Sequence, residues 1–269
     1  MQKSFLQKLR SIYRHLKQIL ILFSDFKNFG QFIFPSKIPL IIINFNQLEN
    51  LKKTIQFAQS YGFEEIVIID NTSTYPPLLE YYEEICNDVT LLRMESNYGH
   101  MVFFKNAELY NKYGKNFFIL TDADIEPNKN LPKNFRRILL KNLLKYYSDI
   151  LKVGFALKID DIPNSYPARD KVLKWEKKFW EDERSRNIFF SHIDTTFALY
   201  KPDPKRNMKF AQDFYLAIRI GGNMTARHLG WYINYHNLSD EQRYYTQLAD
   251  SSSSWIIDDL GKTKSDDYQ

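Results

Sequence analysis

The sequence predicts an α/β domain: a mostly parallel sheet with helices on both faces, preceded by one amphipathic helix. Three observations predict it. Short, wholly apolar runs recur at 40–43, 66–69 and 117–120, of the kind that suits strands covered on both faces. Helix-period segments separate the strands, so strand and helix alternate four times up to the 117–120 run, an order that favours parallel pairing. Each apolar run also gives way at once to polar residues, as expected where strands of such a sheet reach its ligand-binding carboxyl edge. With 269 residues, 44% of them hydrophobic, the chain can fill one large core. Its expected parts are a basic amphipathic segment at 1–34, the α/β domain at 35–257, and a tail at 258–269 rich in Asp, Lys and Ser that reads as disordered.

In the first segment Phe5, Leu9, Ile12, Leu16, Ile19 and Phe23 recur at three- and four-residue steps, while Arg10, Arg14 and Lys17 share another face. The longest apolar run, 19–23, is too short to span a bilayer, and no small-residue cleavage site follows it. Two roles stand open for this helix: lying on anionic lipid, or packing on the domain or a second copy. Up to Lys37 seven basic residues face Asp25 alone, so of the net charge of +5 the remainder of the chain carries about −1. A body so near neutrality has no general reason to bind nucleic acid, and no Arg/Lys-aromatic signature suggests it. The single cysteine, Cys86, rules out an internal disulfide and any cysteine-based zinc site, which suits a cytoplasmic protein, free or peripheral to the inner face of the plasma membrane.

Pro35 and Pro39 mark the entry to the domain. The first strand ends in Asn44, Phe45 and Asn46, and the helix after it carries Leu48, Leu51, Ile55 and Ala58 on one stripe up to Gly62. The second strand ends in Asp70 and Asn71. A short helix at 79–85 leads to the strand VTLLRM, which gives way to Asn97, Gly99 and His100. After one more helix comes NFFILTDADIEP. If this strand stays extended past Thr121, Asp122 and Asp124 share a face across Ala123. Two carboxylates that close repel, so either one takes up a proton or a hard cation sits between them. The alternative is an acidic turn, with Asp124 capping a helix that Pro127 and Pro132 help to start.

The second half reads less regularly. A helix at 131–147 precedes a strand ending in Asp160 and Asp161, both expected to face the site. In KVLKWEKKFW, Trp175 and Phe179 lie four apart with Glu176 and Trp180 beside them, either as a core stripe or as an apolar platform for a sugar ring. DTTFALY reads as a strand with Asp194 at its start, and AQDFYLAIR as a helix with Asp213 near its amino end. Arg227 and His228 follow. Ser239 and Gln242 then form a capping box that opens a last helix.

Only nine glycines are present, with no G-x-G-x-x-G after the first strand and no G-x-x-x-x-G-K-[ST] anywhere. A nucleoside diphosphate at this edge therefore needs another source of positive charge, and Mg²⁺ or Mn²⁺ between paired aspartates supplies it.

On these residues the sequence, from about 39 to 232, resembles the GT-A-type glycosyltransferases, a Rossmann-like fold, and within them the family 2-like group that uses nucleotide sugars. The resemblance implies that Asn44, Phe45 and Asn46 hold the nucleoside, that Asp70 pairs with its base, and that Asn97, Gly99 and His100 form a loop against it. Thr121, Asp122, Ala123 and Asp124 match the D-x-D segment, so the first acid, the second acid and a carboxy-terminal third ligand, His228, would bind Mn²⁺ or Mg²⁺, with Arg227 a cation for the diphosphate. VGFALKIDDIP, DTTFALY and TARHLGWY resemble a bacterial subgroup; the expected partners are a nucleotide-sugar donor and a glycan or glycolipid acceptor. Inverting relatives place their base in an E-D pair at a helix start. Here the pair is Gln212-Asp213, a partial match, so Asp213 and Asp194 compete for that role. Two rivals remain at this stage. A sugar-nucleotide pyrophosphorylase would show a Gly-rich first turn with a following basic residue, and the 44–46 turn lacks both; a binding module would hold the ligand without turnover.

Overall fold

The computed structural model describes residues 5–205, 216–248 and 255–257. Two helices, α1 (Phe5–Phe23) and α2 (Phe26–Ile33), precede the sheet. The first half then alternates as expected: β1 (Leu40–Asn44), α3 (Leu48–Ser60), β2 (Ile66–Asp70), α4 (Pro76–Glu84), β3 (Thr90–Arg93), α5 (Val102–Lys105), α6 (Ala107–Tyr113) and β4 (Phe118–Asp122). β1 lies between β2 and β4 and pairs with both in parallel, placing Asn44 beside Asp70 and Ile43 beside Asp122. Every residue of β1 and β2 is buried, because alternate side chains enter two different cores. Leu40, Ile42, Ile66 and Ile68 pack with Leu51 and Ile55 of α3, whereas Ile41, Ile43, Val67 and Ile69 pack with Phe103 and Tyr110 of α5 and α6. Each such aliphatic side chain contributes about 1.5–3 kcal/mol, which is why these strands are apolar throughout rather than alternating.

The second half contains β5 (Ile125–Pro127), α7 (Phe135–Lys145), β6 (Lys152–Leu157), α8 (Arg169–Lys177), β7 (Glu183–Ser185), β8 (Ile188–Phe190), β9 (Ala198–Tyr200), β10 (Ala217–His228) and α9 (Asp240–Leu248). Among the described residues the strands form one sheet in the order β3-β2-β1-β4-β9-β6-β10-β8-β7, with β5 pairing the end of β10. β9 runs antiparallel between β4 and β6. Its approach to β6 is so close that a Cβ at Gly154 would lie 2.5 Å from the Phe197 carbonyl oxygen. The reciprocal hydrogen bonds of the expected capping box, Ser239 N to Gln242 Oε1 and Gln242 N to Ser239 Oγ, open α9.

Several elements differ from the sequence expectation: the one helix expected before the domain is two, and the strand expected to end in Asp160 and Asp161 ends at Leu157. The segment read as a helix at 211–219 ends in strand: Ala217, Ile218 and Arg219 belong to β10, paired with β6 on one side and β8 on the other, while residues 211–215 lie outside the described residues. Sheet pairing with distant strands outweighs a short local helical period. The strand expected from Asp194 begins only at Ala198, and the helix at 131–147 is shortened to Phe135–Lys145. The tail at 258–269 also lies outside the described residues. No helix among the described residues is long and apolar enough to cross a membrane.

Candidate active site

At the carboxyl edge of the sheet a cavity of about 660 Å³ is lined by Asp122, Asp124, Asp194 and His228, together with Phe45, Asn71, Asn97, Gly99 and His100. The two aspartates of the D-x-D segment meet there, though not by continued extension. β4 ends at Asp122, residues 123 and 124 form a turn, and β5 follows, so Asp124 caps no helix. The turn is held from both sides: the Ala123 N–H donates to the Ile43 carbonyl at 3.0 Å, and the Asp124 carbonyl accepts from the Leu229 N–H at 2.8 Å. Burial, and next the charge of Asp124, push the Asp122 carboxyl well above the usual carboxylate range; a 2.7 Å hydrogen bond from Thr195 Oγ1 works against them.

His228 ends β10 with Nδ1 3.6 Å from Asp124 Oδ2. Its ring stacks on Trp231 at 5.0 Å, and a Cβ at Gly230 would lie 2.9 Å from its Cε1, so the imidazole is held in place. Its buried Nδ1 has no hydrogen-bond partner. Among the described residues no three acids, histidines or cysteines are gathered in a group that could hold a metal ion. Asp122, Asp124 and His228 line one cavity as separate oxygen and nitrogen donors, and Mg²⁺ and Mn²⁺ are ions that fill remaining positions with water or phosphate oxygens. Asp194 stands across the cavity with Oδ1 3.8 Å from His100 Nε2. Its backbone carbonyl accepts a 2.9 Å hydrogen bond from Lys152 Nζ, which also bonds Tyr200 Oη at 3.0 Å. Burial above all drives the Lys152 ammonium well below the usual lysine range, although the charge of Asp194 opposes it.

Several residues expected at the site are turned into the protein instead. Asp70 is fully buried, with its carboxylate accepting from Tyr82 Oη at 2.9 Å, Arg93 Nε at 3.2 Å and the Ser73 N–H. Asn44 donates from Nδ2 to Tyr82 Oη. Asn46, with φ of 52°, accepts at Oδ1 from the N–H groups of Thr74 and Tyr75 and so clamps the loop that starts α4. Thr121 and Ala123 are buried, and neither lines the cavity. Arg227 does not line the cavity: it bonds Asp161 from Nε at 3.0 Å and lies 3.5 Å from Glu126. Asp161 is thereby drawn into a cluster with Arg227, Lys158 and Tyr232, and Asp160 pairs with Lys158, so neither acid faces the cavity. The Asp70, Asp160, Asp161 and Arg227 charges thus have partners within the protein, whereas Asn44 Oδ1 and Asn46 Nδ2 stay buried without one. Asp213 lies outside the described residues.

The structure also supplies lining residues that sequence patterns did not select. Glu176 and Arg219 form a buried ion pair at 2.6 Å, with the guanidinium 4.2 Å from the centre of the Phe179 ring and bonded from Nε to the His192 carbonyl. Burial first, then Arg219, lowers the His192 imidazole below its ordinary value. Of the Trp175/Phe179 stripe, both residues line the cavity and Phe179 is also buried in the core. The signal for Arg219 was its place in the apolar run AIRIGG, visible only once that run is read as a strand. Glu241 of α9 is another addition, its carboxylate accepting from the Leu48 and Glu49 N–H groups at the start of α3.

Comparison with solved structures finds the mannosyltransferase PcManGT from Pyrobaculum calidifontis, in complex with GDP-Man and Mn²⁺, at 17% identity and a TM-score of 0.38, covering 71% of this chain and 56% of that one. S. aureus TarS 1–349 matches at 16% identity and a TM-score of 0.38, covering 61% of this chain and 47% of that one. The chain thus spans about half the length of these structures. No curated protein matches the chain. The model of the glycosyl transferase family 2 matches residues 40–204, from the first residue of β1 to just beyond β9. With that span covering more than half of the sequence, the chain belongs to glycosyl transferase family 2.

Proposed function

We propose that the chain transfers a sugar from a nucleotide sugar, with a UDP-sugar favoured, to a hydroxyl of a glycan or glycolipid acceptor, inverting the anomeric carbon, in the synthesis of bacterial surface polysaccharide or glycoconjugates. One observation carries the reading: a single cavity at the carboxyl edge gathers Asp122, Asp124, Asp194 and His228. Family membership agrees with it.

Asp122, Asp124 and His228 would hold Mn²⁺ or Mg²⁺, which when bound neutralises the charge that builds on the departing diphosphate. Phe45, Asn97 and Gly99 line the cavity, and the nucleoside would lie against them. The Asp194 carboxylate takes the proton of the acceptor hydroxyl as its oxygen bonds to the anomeric carbon and the bond from that carbon to the diphosphate oxygen breaks. Lys152, bonded to the Asp194 carbonyl, fixes the backbone that carries this base. Trp175 offers the incoming sugar an apolar face. Asp213 is the competing base.

The test is a thermal-shift screen of UDP, GDP, CMP and their sugars with and without Mn²⁺, followed by turnover assays of the compounds that bind. A UDP-sugar with Mn²⁺ should raise the Tm, and Asp122→Ala should abolish the turnover it supports. If no nucleotide shifts the Tm, or if Asp122→Ala turns over normally, the proposal fails. Asp194→Asn and Asp213→Asn separate the two bases: whichever variant keeps full turnover is not the base. The anomeric configuration of the product, read by NMR, tests inversion.

A further inference from the structure

Helix α2 presents its apolar side outward. Its polar side chains face the domain: Asn28 and Gln31 are 4% and 1% exposed, while Phe26 is 92% exposed and Phe29, Ile33 and Phe34 lie open beside it. The inward contacts are specific. The Gln31 amide pairs with the Phe117 backbone in both directions, Nε2 to the carbonyl and the Phe117 N–H to Oε1, each at 3.0 Å. Asn28 Oδ1 accepts from Asn116 Nδ2 at 3.1 Å, and its Nδ2 donates to the Leu22 carbonyl. With its polar face so engaged at the start of β4, the helix cannot turn over to bury its phenylalanines.

Helix α1 continues the same surface. Its last turns dock on the domain through Ile19, Leu22 and Phe23, with Gln18 bonded to Ser148 at 2.6 Å and His15 Nδ1 3.3 Å from the same hydroxyl. Leu9, Ile12, Tyr13, Leu16 and Leu20, spaced at three and four residues, form an exposed stripe on the outer side. Arg10, Arg14 and Lys17 are exposed on the adjoining face, and Lys27 and Lys37 flank α2. Exposed apolar side chains clustered on two neighbouring helices in this way mark a contact site.

We infer that this two-helix surface seats the protein on an anionic lipid bilayer, with the apolar stripe entering the boundary between headgroups and acyl chains and the basic residues meeting lipid headgroups. Charge selects this occupant. Residues 1–37 hold seven basic residues and one acid, so a second copy on the same surface would bring two strongly positive arms together, whereas an anionic bilayer complements them. The contact also leaves the cavity free, because Gln31 grips the start of β4 and Asp122 ends it, five residues or about 16 Å away.

The experiment is co-sedimentation of the full chain with vesicles of phosphatidylcholine alone and of phosphatidylcholine mixed with phosphatidylserine. The expected result is about tenfold or greater preference for the anionic vesicles, weakened several-fold by high salt. The double variant Phe26→Asp/Phe29→Asp and the charge variant Arg10→Glu/Arg14→Glu should each lose most of this binding while keeping the wild-type Tm. Equal binding to the two vesicle types, or unchanged binding by the Phe26→Asp/Phe29→Asp variant, overturns the inference. A wild-type dimer in analytical ultracentrifugation that dissociates in that variant, with no vesicle binding by either protein, assigns the surface to a second copy instead.

Discussion

The carboxyl ends of β2 and β4 each carry an aspartate, and the two acids meet opposite fates. Asp70 is enclosed and answered: a tyrosine hydroxyl, an arginine and a backbone N–H share its carboxylate. Asp122 lines the cavity with one hydroxyl donor of its own and a second acid beside it. The difference teaches that position at the sheet edge does not by itself leave an acid available to a ligand. What matters is whether the protein has already supplied its counter-charges.

The largest effect should follow substitution of the unanswered acid. Asp122→Asn is expected to lower transferase turnover about 10³-fold, a loss of roughly 4 kcal/mol of transition-state stabilisation, with a Tm equal to or above that of the parent. A steady-state assay beside a thermal melt checks both halves. The buried Glu176–Arg219 pair carries the comparison into the second half of the sheet, as another answered acid. Arg219→Met alone strands a buried carboxylate and should cost about 3–5 kcal/mol in urea unfolding, and adding Glu176→Gln should recover part of that loss. Asp70→Asn comes next, at about 2–3 kcal/mol of stability, with turnover per folded molecule within about twofold of the parent. If Asp70→Asn instead kept full stability and lost turnover, the contrast between the two strand ends would collapse.

The smallest effect concerns Asp161. Burial opposes its ionisation, but hydrogen bonds from Arg227, Lys158 and Tyr232 outweigh burial and hold the carboxyl below the usual range. A carboxylate depressed in the folded state stabilises the protein above the unfolded-state value of about 3.9, and that contribution is lost as the pH falls below it toward the folded value. Asp161→Asn should therefore narrow the loss of Tm below about pH 4 while costing about 1 kcal/mol at neutral pH.

How far the sequence could be read varied with the range of the forces involved. β1, β2 and β4 were legible because burial on both faces demands uninterrupted apolar residues, and Leu40 through Ile43 meet that demand locally. The capping box of α9 was legible because Ser239 and Gln242 satisfy each other within one turn. The 217–219 segment was misread because its strand state depends on β6 and β8, which are far away in the chain. Of the acids expected at the site, Asp122, Asp124 and Asp194 line the cavity, while Asp70, Asp160 and Asp161 do not. Asn44, Asn46 and Arg227 carry groups that could serve a ligand, and only the packed fold shows that Tyr82, the 74–75 backbone and Asp161 take them first.

By itself, the sequence determined the alternation of strand and helix, the edge at which polar groups collect, the paired aspartates and the amphipathic first helix, because each follows from local periodicity and side-chain chemistry. The tertiary structure alone decided which of those polar groups stay available. It brought Asp194 and His228 into the cavity with Asp122 and Asp124, closed Asp70 away, and turned the phenylalanines of α2 outward. The physical reason is that a polar group pairs with whatever partner the folded chain brings nearest, and that partner usually lies many residues away.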